Sequence, residues 1–319
     1  MCSLCMCSAF GLFYPPHDSR RQRDIVDYMS AEIFPQTVIR MSQEFVACYE
    51  SCTPVASLFA SQHLWLLCHA MLAHYFLGAG SSHGRLTRGI FGRLAVRQNI
   101  CSRNTAVSLF YYAIERGALT PLLGLADIRL EEAVPSPVML SLLIAWYRTH
   151  FEAMDVIDGG DRTKWLLADP VQRLALIQFD VACALLCQRT ARAPGSPSTI
   201  FNWVDSDSLL LDHLIGGVDP ATIGKRDRHV TTVTSLTSLA HSAGISRAHT
   251  SRKVSAAERL GGIGWTGRRG FSELWVSQSF FEEYARLQAR KMLILDHACA
   301  RARLGEQHPP YRHQMNGTR

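Results

Sequence analysis

One short pattern occurs twice in this chain, and it limits the folds open to it. Ser102-Arg103 is followed, 13 residues later, by Gly117-Ala118-Leu119; Ser246-Arg247 is followed, 13 residues later, by Gly261-Gly262-Ile263. Each copy is preceded by a Leu-Ala pair (Leu94-Ala95, Leu239-Ala240) and by a short break containing Asn99 or Gly244. The copies stand 144 residues apart in a chain of 319, so the repeat implies two similar halves.

Local chemistry gives each copy the same reading. Ile90, Phe91, Leu94 and Ala95 lie on one face of a helix that Thr87 can cap. Asn99 and Gly244 fall where a turn needs a left-handed residue, and Ser102 and Ser246 stand where a hydroxyl caps a second helix. On that helix Ala106, Leu109, Phe110 and Ala113 form an inward stripe; Thr250, Val254 and Ala257 take similar places in the later copy. A hairpin then follows. The later one is built from strands around Trp265 and Trp275 and tipped by Gly267-Arg268-Arg269-Gly270. The earlier one is weaker, with Leu119–Leu123 and Asp127–Leu130 flanking Gly124. Long helices are predicted over Pro137–Val156 and Ser277–Ala302. The order predicts a mainly α protein with small β-hairpin wings, in the form of tandem winged helix-turn-helix domains.

The expected organisation is an N-terminal extension over 1–55, partly disordered, and a first winged-helix domain over 56–157. A helical, acidic linker follows over 158–204, then a second winged-helix domain over 205–302 and a disordered tail over 303–319. Ser30–Ser51 reads as one or two helices, Ser57–Leu77 as a long buried helix and Lys164–Gln188 as a single helix. Met6, Met29 and Met41 are alternative starts.

Charge follows the repeat. From Asp127 to Asp219 there are 13 acidic residues against 7 Lys/Arg, whereas Arg85–Arg116 holds six Arg and one Glu, and His229–Arg269 six Lys/Arg and one Glu. Cationic repeats around an acidic middle suit a partner that is a polyanion. With 47% hydrophobic and 19% charged residues the bulk is globular. No run reaches about 20 uninterrupted apolar residues, so no membrane span is expected. Cys48/Cys52 and Cys183/Cys187 sit at i,i+4 in apolar helical stretches and read as packed free thiols in a reducing cytosol. The Cys2, Cys5 and Cys7 cluster lacks a second ligand pair, so no metal and no cofactor are expected. The glycines of 78–84 lack the Lys-Ser/Thr of a phosphate loop and read as a connector. Asp155, Asp158 and Asp161 read as a solvated loop, Cys101 as a packed thiol, and His69 and His74 as unrelated histidines. No catalytic constellation stands out, and the chain is not expected to be an enzyme.

Residues in the first turns of a helix laid in a major groove reach base edges, where Arg donates twice to guanine and Asn pairs with adenine. The candidates are Ser102, Arg103, Asn104, Thr105 and Ser108 on the first helix, and Ser246, Arg247, His249, Ser251 and Arg252 on the second. Arg268 and Arg269 at the hairpin tip are placed for the minor groove or a phosphate. Lys225, Arg226 and Arg228 read equally as phosphate contacts or as a solvated charge run.

Through Leu239-Ala240, Gly244-Ile245-Ser246-Arg247, Ala257, Gly261, Ile263 and the tip at Gly267–Gly270, the chain resembles MarR-type winged helix-turn-helix regulators over about 70 residues in each half. The resemblance implies binding of double-stranded operator DNA by a homodimer or, with two copies in one chain, by an intramolecular pseudo-dimer. It implies base or phosphate contact by Ser246, Arg247, Ser251 and Arg252, and by Ser102, Arg103, Asn104 and Ser108. The expected function is sequence-specific transcription regulation in the cytoplasm. Two alternatives stay open: a plasmid-type replication initiator, and a winged-helix protein-interaction scaffold that does not bind DNA.

Overall fold

The computed structural model describes residues 24–51, 53–56, 58, 62–78, 84–122, 132–188 and 208–307. It is mainly helical, with two small antiparallel sheets. Helices α1 (Ile25–Met29), α2 (Phe34–Ser51), α3 (Thr53–Ala56) and α4 (Gln62–Leu77) lead into a first unit. That unit runs β1 (Leu86–Thr87), α5 (Arg88–Arg97), α6 (Arg103–Glu115), β2 (Leu119–Pro121), β3 (Glu132–Pro135) and α7 (Pro137–Asp158). After α8 (Arg162–Ala168) and α9 (Pro170–Gln188), α10 (Ser208–Gly216) leads into a second unit. It runs β4 (Arg228–Val230), α11 (Leu236–Ser242), α12 (Arg247–Arg259), β5 (Ile263–Trp265), β6 (Leu274–Ser277) and α13 (Gln278–Gln307).

The two units are built with the same bonds. Asn99 N–H donates to the Val96 carbonyl (3.1 Å) and Ile100 N–H to Ala95 (2.8 Å); Gly244 donates to His241 (3.1 Å) and Ile245 to Ala240 (3.0 Å). This closure satisfies the orphan carbonyls of the first helix and requires a left-handed residue after it. Asn99 and Gly244 fill that place, at φ 51° and 66°. Ser102 and Ser246 then cap α6 and α12 by accepting from the N–H of Thr105 and His249, each at 3.2 Å. Gly117 and Gly261, again left-handed, end both helices. Each sheet places its last strand centrally, β1-β3-β2 and β4-β6-β5, with Thr120 opposite Val134 and Gly264 opposite Trp275.

The cores differ in bulk. Phe91 and Phe110 meet edge to face at 4.9 Å between α5 and α6, whereas the matching helices of the second unit bury the smaller Leu239, Val254 and Ala257. Each large buried side chain contributes about 1.5–3 kcal/mol.

Helix α2 joins the units, packing on α7 on one side and α10 on the other. A buried polar chain runs through this joint. Ser42 Oγ lies 2.9 Å from Tyr284 Oη, which donates to Asp212 Oδ1 at 2.5 Å. Burial raises the Asp212 carboxyl to about 6, although Tyr284 and Lys291 pull the other way. Deeper in, Tyr147 Oη donates to Gln178 Oε1 (2.9 Å), and Gln178 Nε2 donates to the His69 carbonyl (3.0 Å). His69 and His150 are fully buried; burial first, then Lys291, lowers both to about 3, so both rings are neutral at pH 7.

Several expectations change. The second strand of the first hairpin is Glu132–Pro135, later than expected, and Asp127–Leu130 lies outside the described residues. Lys164–Gln188 is two helices, because Pro170 cannot continue a helix and holds Asp169 at φ −156°, outside the helical region. Asp155 and Asp158 are shielded and are not a solvated loop, whereas Asp161 is exposed as expected. Asp155, Asp158 and Asp296 of α13 surround the buried Arg162 at 2.7–3.1 Å. Asp161 binds Arg303 at 2.7 Å, which holds its pKa below the usual carboxylate value. The last helix runs on to Gln307, past the expected end at Ala302, and Glu306 near its end pairs with Arg173. Strands β1 and β4 had no local signal. By length and composition Pro170–Cys187 is long and apolar enough to cross a membrane. It packs against α4 and α13, and its polar Gln178 and Asp180 bind His69 and Arg301 within the chain.

Candidate nucleic-acid interface

Helices α6 and α12 both turn a polar face outward. Ser102, Arg103, Asn104, Thr105 and Ser108 are exposed on the first; Ser246, Arg247 and Arg252 are exposed on the second, with His249 and Ser251 half-buried. Their opposite faces, Ala106, Phe110 and Ala113 against Thr250, Val254 and Ala257, are buried. The capping bonds already engage Ser102 and Ser246, and Ser102 Oγ also lies 2.8 Å from Thr105 Oγ1. The Arg103 stem lies across Gly92 of α5, where a Cβ would strike it. Arg252 Nη2 reaches His249 Nδ1 at 3.3 Å.

The electrostatics separate the two helices. Helix α12 carries Arg247, Arg252, Lys253 and Arg259 against Glu258 alone, while α6 carries Arg103 against Glu115. Glu258 is itself neutralised. Arg269 turns back from the hairpin onto α12, donating to Ser255 Oγ at 2.6 Å and to Glu258 Oε2 at 3.1 Å. Arg269 therefore clamps the hairpin against the helix instead of extending from it. Arg268 lies over the Phe271 ring at 4.5 Å, and Phe271 is 76% exposed. The sequence analysis did not single out Phe271; an aromatic directly after Arg-Arg-Gly at a hairpin tip was the available signal.

The base of this hairpin is rigid. The Trp275 indole covers Gly264 on the neighbouring strand so closely that a Cβ at Gly264 would collide with it. Arg228 stacks over the same indole at 4.4 Å, and Trp275 Nε1 donates to the Trp265 carbonyl at 3.1 Å. Arg228 thus belongs to the sheet and is exposed, as are Lys225 and Arg226. In the first hairpin, Arg85 pairs with Glu132, and residues 123–131 lie outside those described.

The Tyr49 hydroxyl, at the end of α2, presses against Gly244 in the turn before α12, leaving no room there for a Cβ. Burial raises its pKa above the usual phenol value, and the nearby Tyr112 of α6 adds to the shift.

Among the described residues, no group of three His, Cys, Asp or Glu side chains is arranged to hold a metal ion, and Cys68 and Cys299 are buried thiols. Cys2, Cys5, Cys7 and Cys52 and most of the 78–84 glycine stretch lie outside the described residues. No protein-family model, curated protein or solved structure matches this chain.

Proposed function

We propose that this chain is a cytoplasmic, sequence-specific DNA-binding regulator of transcription, a covalent pseudo-dimer of two winged helix-turn-helix units resembling the MarR type. One observation carries the reading. The order strand, helix, turn, helix, hairpin occurs twice with the same strand order, the same Ser-Arg cap and the same left-handed turn. In the second copy the outward helix is cationic and a hairpin is clamped beside it.

In this reading α12 enters the major groove, with Arg247 and Arg252 reading base edges or phosphates, and the amphipathic α6 makes a lesser contact through Arg103 and Asn104. Cation-led binding releases counterions, so affinity should fall steeply with salt. The test is selection of bound fragments from genomic DNA, followed by titration of a selected duplex at two salt concentrations. Fragments clustering upstream of genes, with steep salt dependence, support the regulator. Tandem repeats at a replication origin would favour the initiator alternative. An absence of salt-dependent duplex binding would leave the scaffold alternative.

A further inference from the structure

Phe271 is the most exposed large hydrophobic side chain among the described residues, at 76%, and it stands at the tip of a hairpin that carries Arg268 and Arg269. Its position is fixed. Phe271 N–H donates to the Arg268 carbonyl at 3.0 Å across a turn whose Gly270 takes φ 78°, the left-handed value that a type II turn requires at its third residue. Ser272 braces the turn from inside, accepting from Gly267 N–H at 3.0 Å and donating to the Arg268 carbonyl at 3.1 Å. Arg269 pins the turn to Ser255 and Glu258 of α12. An apolar ring held rigidly in water, with a guanidinium on its face, forgoes burial within its own chain.

We infer that Phe271 is a wedge that enters the minor groove beside the helix α12 site, pressing on a base step while Arg268 meets the flanking phosphates and opens the duplex toward a bend. The inference rests on the DNA-binding reading above and adds to it a deformation of the partner. Charge identifies the occupant: Arg247, Arg252, Lys253 and Arg259 line the adjacent helix, and its one carboxylate is tied up by Arg269. Apolar side chains pushed between base steps from the minor groove bend DNA by about 20–90°. Flexible pyrimidine–purine steps yield most readily, so the tip selects sequence by deformability.

The experiment uses the full chain and the duplex that wild type selects from a random 40-bp pool, labelled at both ends for energy transfer and carrying 2-aminopurine at successive flanking positions. Wild type should shorten the end-to-end distance and brighten 2-aminopurine at one step. Phe271→Ala should abolish both signals and weaken binding about tenfold, the scale of a lost base–aromatic contact. Phe271→Trp should retain both signals. Since the ring is exposed, the Tm of each variant should match wild type. If Phe271→Ala binds and bends the duplex as wild type does, the wedge is overturned and the DNA-binding reading stands. If wild type selects no duplex, both fall. If wild type binds an undistorted duplex, the wedge alone falls.

Discussion

In the first unit, the outward helix carries one arginine and one glutamate over a stripe led by Phe110. In the second, the matching helix carries four cations and one glutamate over Thr250, Val254 and Ala257. The backbone bonds beneath them are nevertheless the same: the Asn99 and Gly244 turns, the Ser102 and Ser246 caps and the Gly117 and Gly261 stops. A few cap, turn and stripe positions thus suffice to specify the scaffold, and the solvent face is left to diverge. The stripe beneath the outward helix changes from one led by Phe110 to one of Thr250, Val254 and Ala257 while the backbone bonds stay the same.

The largest expected contrast is in DNA affinity. Replacing Arg247 and Arg252 together with Ala should weaken binding to a selected duplex by a factor of about 10²–10⁴, at about 1–3 kcal/mol per base-reading arginine. Replacing Arg103 and Asn104 should cost less than about tenfold. Fluorescence anisotropy measures both; equal losses would mean that the units read DNA alike and would dissolve the contrast.

Acid should act next, at the joint. His69 and His150 have folded pKa values of about 3, below the ordinary 6.5, so the fold favours their neutral forms. Their stabilising effect is complete above pH 6.5 and is lost as pH falls toward 3, at about 1.4 kcal/mol per unit per ring. Asp212, raised to about 6, works oppositely and recovers part of this loss as it protonates. Unfolding by urea should therefore show a net loss of about 3 kcal/mol between pH 7 and about pH 4.5. His150→Gln should flatten that slope; an unchanged slope would place the acid-sensitive groups elsewhere.

Smaller effects sharpen the comparison of the turns. Gly244→Ala should destabilise the fold by about 2 kcal/mol, because it meets both a left-handed φ and the Tyr49 hydroxyl. Combining it with Tyr49→Ala should restore about half, as thermal melts in a double-mutant cycle would report. If the two substitutions are additive, Tyr49 does not brace the turn. Smallest of all, Asn99→Gly should stabilise the first turn by about 0.5 kcal/mol, since glycine adopts φ 51° without a Cβ penalty. A lower Tm would show that the Asn99 side chain contributes more than its backbone angle.

The residues that were legible in the sequence act over short range. Ser102, Ser246, Asn99, Gly244, Thr87 and the inward stripes announce themselves because caps and turns are decided within four or five residues. Strands β1 and β4 are two or three residues long and are created by partners 45 or more residues away, Ala133 and Val276 among them, so no local pattern marks them. The setting of Arg162 was hidden for the same reason, since Asp296 lies 134 residues along the chain. At the candidate site the exposed faces of α6 and α12 were readable. The inward fold of Arg269 and the place of Tyr49 beside Gly244 depend on tertiary packing that composition does not encode.

Helix α2 precedes both units and touches both, lying between α7 and α10 while its Ser42 reaches Tyr284 of α13. Neither unit therefore owns a complete interior. A protease cut between residues 188 and 208 should yield two pieces that travel together on a sizing column, held by residues 24–51 as a shared wall. The second half expressed alone would keep its hairpin and lose that wall, whereas the first half would retain it.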